Sequence, residues 1–222
     1  MTAVPALETR GLRMAFGGVL ATDNVSFRLE RGARHALIGP NGAGKTTFVN
    51  QLTGVLRPSA GAILLGGEDI TALAPEARVR RGLVRTLQIN QLFASLTPLE
   101  TLGVAVSERM GHGHDFWRAA GTRADVMTTI GAVAERFGLA DALNERTADL
   151  PYGKQRLLEI AVAFACDPAV LLLDEPAAGV PEAERRELLQ TIADLPADVS
   201  VLLIEHDMDL VFSFARKISV LV

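Results

Sequence analysis

The chain contains very little cysteine. A single cysteine, Cys166, occurs among 222 residues, which excludes an internal disulfide framework. The residues near Cys166 do not have the spacing of metal ligands. The chain is long enough to bury a sizeable core, and a lone cysteine in such a chain usually behaves as a small apolar residue. We therefore expect Cys166 to be buried.

The sequence also lacks an apolar run long enough to cross a bilayer. Hydrophobic residues make up 49% of the chain and the mean hydropathy is +0.25. The longest candidates, IAVAFAC and AVLLL, are nevertheless far shorter than the roughly 18 residues that a membrane span requires. The N-terminal stretch MTAVPALETRG has no basic segment followed by an apolar one, so it does not resemble a signal peptide. These absences predict a protein that stays in the cytoplasm.

Positive charge is not in excess. The formal net charge is −4, which argues against nucleic acid as the main partner because phosphate neutralisation favours clustered Lys and Arg. The locally basic run EARVRRGLVR is interpreted as the solvated face of a short helix.

The order of apolar patterns predicts an α/β fold. Residues 7–38 are rich in strand patterns such as NVSFRLE and RHALIG, and GAILLGGEDI adds a further strand. Residues 92–166 have helical periodicity, which indicates an inserted helical lobe. From residue 169 onward, strands such as AVLLLD and SVLLIE alternate with helices, an order typical of a parallel sheet with crossover helices. We expect one folding unit that carries the lobe.

The stretch GPNGAGKT at residues 39–46 matches the pattern Gly-x-x-x-x-Gly-Lys-Thr, between a short buried strand and a helix. There, backbone N–H groups and the positive end of the helix can hold nucleotide phosphates. Lys45 would add a cation, and the Thr46 hydroxyl could bind Mg²⁺. The sequence therefore predicts an ATP and Mg²⁺ site. Its predicted nucleotide-binding residues are Gly39, Pro40, Asn41, Gly42, Ala43, Gly44, Lys45, Thr46 and Thr47.

Two further strands end in acidic or basic side chains. VLLLDEP delivers Asp174 to the carboxyl end of a buried strand, where it would hold Mg²⁺, and Glu175 could polarise an attacking water. The alternative is that both carboxylates only complement a helix N-terminus. SVLLIE is followed by His206, which would reach the same γ-phosphate if its strand lies beside that of Asp174.

These motifs resemble the ATP-binding subunits of ABC transporters over nearly the whole chain. The resemblance implies a P-loop NTPase core, an antiparallel β region and an inserted helical subdomain in one domain spanning residues 1–222. It also implies that Gln88, in RTLQINQLF, contacts Mg²⁺ and the attacking water, and that Phe16 stacks on adenine. Without the family, Phe16 fits equally well in the core.

In that family, a glycine-rich signature contacts the ATP bound by a second copy of the subunit. The stretch LPYGKQ occupies its place: Gly153 retains the glycine, Lys154 replaces the usual glutamine, and Pro151 and Tyr152 replace serine and glycine. The resemblance thus implies that Gly153 binds nucleotide across a dimer, and Lys154 would return a positive charge to the same phosphate. The alternative is an ordinary capped helix, with a buried face that contains Leu157, Ile160, Ala161 and Phe164.

Four stretches narrow the resemblance: LPYGKQRLLEIA, DEPAAG, FGGVLATDNVSF and GEDIT. They are similar to the subunits of high-affinity branched-chain amino-acid importers and of relatives that import urea, amides or aromatic acids. That resemblance implies three kinds of partner: a second ATPase subunit, identical or different, two membrane permeases and, indirectly, a periplasmic or extracellular binding protein. It also implies a peripheral position on the cytoplasmic face of the membrane. Pro181 stands where many members carry a dimer-facing aspartate. Members of the family continue beyond the position of Val222 with a hairpin and a helix, so the chain is either truncated or a short natural form.

Two other functions remain open from the sequence. A P-loop kinase of small molecules would share the Gly-Lys-Thr loop but would give the signature helix and His206 no role. A non-transport ABC protein that acts on ribosomes or DNA usually has two cassettes or long coiled-coil insertions.

Overall fold

The computed structural model describes residues 3–86, 92–112 and 123–222. Its contacts divide the chain into two compact units. The first contains Met1–Arg85, Ala169–Glu175 and Pro196–Val222, and the second contains Thr86–Pro168 and Pro176–Leu195. The predicted lobe at 92–166 thus falls in the second unit as far as it is described, together with the segment Pro176–Leu195.

The first unit contains two sheets. Its antiparallel sheet has the order β2-β1-β4-β5, and its parallel sheet has the order β6-β7-β8-β3-β9. The strands are β1 Leu7–Phe16, β2 Val19–Leu29, β3 Arg34–Ile38, β4 Ala60–Leu65, β5 Glu68–Asp69, β6 Leu83–Arg85, β7 Val170–Asp174, β8 Ser200–Ile204 and β9 Lys217–Val220. The unit's helices are α1 Lys45–Thr53, α2 Pro75–Val79 and α7 Met208–Phe214. This combination confirms the predicted α/β class with an antiparallel β region.

The strands β7 and β8 lie in the interior of the parallel sheet. β7 and β8 are buried at every position, which fits their continuous apolar sequences and their central places in the sheet. One face of α1 packs on the same core through Phe48, Val49 and Leu52. Since the strands are parallel, the residues that follow β3, β7 and β8 all emerge at the same edge of the sheet.

The described part of the second unit is mainly helical. Its helices are α3 Pro98–Arg109, α4 Ala124–Arg136, α5 Tyr152–Ala165 and α6 Glu182–Ala193. A capping box fixes the start of α3, because the Thr97 side chain accepts from the Glu100 N–H and the Glu100 carboxylate accepts from the Thr97 N–H. Leu157, Ile160 and Ala161 of α5 are buried.

Two of the predictions about buried side chains need correction. Phe164 is only half-buried, because it lies toward the edge of the apolar face of α5, where its ring meets Phe137 and the guanidinium of Arg136. Cys166, at the end of α5, is also only half-buried. Partial burial still raises the pKa of its thiol, which keeps Cys166 protonated near neutral pH.

In the described residues, the helices are too short or too polar to cross a bilayer.

Candidate functional site

The phosphate loop connects β3 to α1 in the first unit. Gly42 and Gly44 both have φ near 85°, a left-handed conformation that favours glycine. A Cβ on Gly44 would also collide with the carbonyl oxygen of Ala21. Gly44 caps α1 without a side chain, so the N–H groups of the first helical turn can bind an anion.

Lys45 and Thr46 begin α1. The Lys45 ammonium folds back over the loop, where Nζ donates to the carbonyl oxygens of Gly39 at 2.5 Å and Pro40 at 2.9 Å. Thr46 is exposed to solvent. Backbone donors, a cation and a hydroxyl are therefore grouped at one helix terminus.

Asp174 ends β7 and is only 2% exposed. Its Oδ2 is hydrogen-bonded to Nη2 of Arg85, and Nη1 of Arg85 donates to Oδ1 of Asn50 in α1 at 2.7 Å. Sequence reasoning missed Arg85 and Asn50. Their sequence positions carried no signal, since only the pairing of β6 with β7 brings Arg85 to the acid.

Glu175 follows Asp174 with φ 47°, a left-handed conformation that is uncommon for a residue with a side chain. Its N–H donates to the carbonyl of Ile204 at 2.9 Å, which holds the turn against the end of β8. β8 lies beside β7, so His206 comes close: its Nδ1 is 3.6 Å from Oε1 of Glu175. The His206 side chain is 70% exposed and faces solvent at this edge.

Glu205 is a third site residue that sequence reasoning did not single out. It is 2% exposed, and its Oε2 accepts from the backbone N–H groups of His206 at 3.0 Å and Asp207 at 3.4 Å. The carboxylate therefore fixes the turn that presents His206.

Among the other predicted residues, one lies apart from this group and one lies outside the described residues. Phe16 is at the end of β1, opposite Val19 in the hairpin, and is 49% exposed, so it is not a core residue. Gln88 lies outside the described residues.

Gly153 and Lys154 lie in the second unit, at the start of α5. The Gly153 N–H donates to Oε2 of Glu184, in the first turn of α6, at 2.6 Å. A Cβ at Gly153 would lie 2.9 Å from Cβ of Glu184, so glycine is required for this approach. Lys154 Nζ contacts both carboxylate oxygens of Asp141, at 2.8 and 2.9 Å, and this hydrogen bond lowers the pKa of Asp141. The sequence predicted that the Lys154 ammonium is available to a phosphate. In the structure it is paired with Asp141 within the second unit.

A phosphate loop between a buried strand and a helix, with an acidic residue at the end of a parallel strand nearby, defines the class of P-loop nucleotide-binding proteins. Comparison with known proteins narrows this class. The sequence profile of the ABC transporter family matches residues 22–178. This match covers most of the chain, and the chain therefore belongs to the ABC transporter family.

Curated relatives and solved structures agree with this membership. The chain is 41% identical to the high-affinity branched-chain amino acid transport ATP-binding protein LivG of Escherichia coli, over 97% of this chain and 88% of LivG. It is 40% identical to BraF of Pseudomonas aeruginosa, a protein with the same description, over 98% of this chain and 88% of BraF. The ADP conformation of an ATP-binding cassette of an ABC transporter superposes with a TM-score of 0.85 at 28% identity, covering 98% of this chain and 87% of that structure. The chain is an ATP-binding subunit of this family and, as an enzyme, an ATPase.

Proposed function

We propose that this chain hydrolyses ATP to power an importer, with its site at the carboxyl edge of the parallel sheet. The observation that carries the proposal is the meeting of three strand ends in one unit. Residues 39–44 follow β3. Asp174 is the last residue of β7, and Glu175 follows it. His206 comes shortly after β8. β8 pairs with both β3 and β7, so these groups share one edge.

The loop residues would bind the ATP phosphates. The left-handed glycines Gly42 and Gly44 let the backbone approach an anion closely, and the start of α1 contributes its partial positive charge. Lys45, whose ammonium now bonds the loop carbonyls, would donate to the phosphates instead. Phe16, half exposed at the end of its hairpin, is free of the core and would stack on adenine.

The residues present fit a magnesium ion. The Thr46 hydroxyl is exposed in the first turn of α1, and Asp174 is a carboxylate that its guanidinium partner keeps in place. Hydroxyl and carboxylate oxygens are the ligands that Mg²⁺ prefers. Thr46 and Asp174 would hold the ion together with the phosphates, and Gln88 would contribute from outside the described residues. Bound Mg²⁺ would neutralise charge on the phosphates during transfer.

Glu175 and His206 would act on the attacking water. A carboxylate can accept a hydrogen bond from water and orient it toward the γ-phosphate. The Nδ1 of His206 lies 3.6 Å from Oε1 of Glu175, so the imidazole can support that carboxylate or donate to the phosphate. The turn stabilised by Glu205 would keep the imidazole at this position.

Gly153 and Lys154 would act on the ATP of a second subunit, in a head-to-tail dimer of identical or related chains. The N-terminus of α5 has the polarity to bind a phosphate. The Gly153 N–H is bonded to Glu184, so this carboxylate must move aside before the N–H can donate to a phosphate. Pro181, in place of the family's aspartate, would alter the coupling between the two ATP sites.

The branched-chain amino acids or a related small solute are the proposed cargo, on the basis of the names of LivG and BraF. The proposed partners are two membrane permeases and, through them, a binding protein outside the membrane. We place the chain, as one ABC domain over residues 1–222, on the cytoplasmic face of the membrane. Cells in which Lys45→Ala replaces the parent chain should lose uptake of labelled leucine, isoleucine or valine, and undiminished uptake of all three would rule out the branched-chain amino acids as the cargo.

ATP turnover and dimerisation test the mechanism directly. We expect the purified parent to release phosphate from MgATP and Lys45→Ala to lose nucleotide binding. Glu175→Gln should retain ATP binding, lose turnover and accumulate an ATP-dependent dimer detected by light scattering. Glu182→Gln, an exposed residue of α6, is the matched control. Phosphate release by Glu175→Gln at the parent's rate would refute the proposed role of Glu175.

A further inference from the structure

Arg85 connects two elements of the first unit that carry proposed magnesium ligands. It lies at the end of β6, beside β7. Its Nη2 is hydrogen-bonded to Oδ2 of Asp174, and its Nη1 donates to Oδ1 of Asn50 at 2.7 Å. The Arg85 side chain is 12% exposed and that of Asp174 is 3% exposed. Both partners in the ion pair are therefore largely shielded from water.

The chemistry of this contact favours arginine over other cations. A carboxylate buried to this degree requires a compensating charge and hydrogen bonds. The planar guanidinium has several N–H donors in a fixed arrangement, so it can hold the Asp174 carboxylate with one nitrogen and the Asn50 amide with another. A lysine ammonium would keep the charge but lose this two-armed geometry.

Asn50 links the Arg85 side chain to α1, the helix that follows the phosphate loop. It lies one helical turn after Thr46, so the two side chains are on the same face of α1. The distance between the Thr46 hydroxyl and the Asp174 carboxylate depends on how α1 is held relative to the end of β7. Arg85 is bonded to both elements.

We propose that Arg85 is a positioning residue for the magnesium site: its guanidinium fixes the Asp174 carboxylate relative to the helix that carries Thr46. The inference rests on the proposed function, since it assigns a role toward the Mg²⁺ that accompanies ATP. Arg85 acts through Asp174 and Asn50. The phosphate loop, which binds nucleotide through its own backbone, does not depend on it.

Two substitutions test the positioning role without removing the positive charge. Asn50→Ala removes one arm of the contact, and Arg85→Lys keeps the charge but not the fork. The measurement is the free Mg²⁺ concentration that gives half-maximal binding of the non-hydrolysable analogue AMP-PNP, together with AMP-PNP affinity in EDTA. Arg81→Lys is the control, because Arg81 pairs with Glu68 at an exposed surface of the same unit.

Each test variant should need about five- to tenfold more Mg²⁺, the effect of losing roughly one hydrogen bond. AMP-PNP affinity in EDTA should stay at the parent's value, and so should both values for Arg81→Lys. The double variant should need no more Mg²⁺ than the more affected single variant, because both substitutions break the same bridge. Asn50→Ala leaves the Arg85–Asp174 pair intact, so it remains informative if Arg85→Lys folds poorly.

Three results would overturn the proposal. Unchanged Mg²⁺ requirements in both single variants would show that the bridge does not position the metal ligand. A loss of AMP-PNP affinity in EDTA equal to the loss in Mg²⁺ would indicate a general distortion of the loop. A parent chain that binds no AMP-PNP at any Mg²⁺ concentration would refute the proposed function itself, and the role of Arg85 with it.

Discussion

Replacing Glu184 by alanine should destabilise the second unit through the start of α5. The Glu184 carboxylate accepts the Gly153 N–H at 2.6 Å, and the N-cap residue Pro151 provides no side-chain cap. Gly153 is buried, so the N–H would lose its partner without full access to water. A lost helix cap costs about 0.5–2 kcal/mol, and a hydrogen bond to a charged group contributes about 1.5–3 kcal/mol. We therefore expect a loss of about 1–2 kcal/mol.

Thermal and urea unfolding followed by circular dichroism measure this loss. For a chain of this length, about 1–2 kcal/mol corresponds to roughly 2–8 °C in Tm. Glu184→Gln should retain part of the stability, because an amide oxygen can accept the same bond without the charge. Glu182→Ala is the matched control: Glu182 lies in the same first turn of α6 and is exposed. Equal unfolding midpoints for Glu184→Ala and Glu182→Ala would refute the reasoning.

Three further substitutions or conditions have expected outcomes. Arg78→Met should lower the free energy of unfolding by about 3 kcal/mol or more, because the buried guanidinium donates to four backbone carbonyls. A loss below about 1 kcal/mol in urea unfolding would contradict this prediction. Burial, and to a lesser extent the charge of Lys217, lower the pKa of His35 to about 4, so the folded state favours the neutral imidazole. The stability gained from keeping His35 neutral is complete above about pH 6.5 and is lost as the pH falls toward 4, by up to about 1.4 kcal/mol per pH unit. Urea midpoints that fall equally with pH in the parent and in His35→Gln would argue against this effect of His35. Gly44→Ala should abolish ATP binding in a calorimetric titration, since its Cβ would meet the Ala21 carbonyl, and parent-like binding would show that the loop tolerates a left-handed alanine.

Local patterns sufficed to predict the α/β class and the phosphate loop. The loop is contiguous, and the proposed roles of its glycines, lysine and threonine depend on backbone conformation and helix polarity within residues 39–47. The acidic strand was predictable for the same reason, because a continuous apolar run that ends in Asp174 specifies a buried strand and its terminus.

Local patterns were insufficient where polar side chains found unexpected partners. Lys154, predicted to offer a cation to phosphate, is paired with Asp141. The start of α5, read from sequence as either a signature or an ordinary capped helix, is capped by Glu184 from α6. Neither carboxylate belongs to a recognisable motif, so periodicity and composition gave no indication of these pairs.

The sequence by itself determined which elements form and which chemistry-bearing residues stand at their ends, because strand burial, helix starts and tight turns depend on neighbouring residues. Only the tertiary structure decided which of those ends meet. The strand order β6-β7-β8-β3-β9 sets Arg85 beside Asp174 across a sequence separation of 89 residues, and it brings His206 to Glu175. Strand order results from the packing of the whole sheet, so the proposed ATP site depends on contacts that no local stretch of sequence encodes.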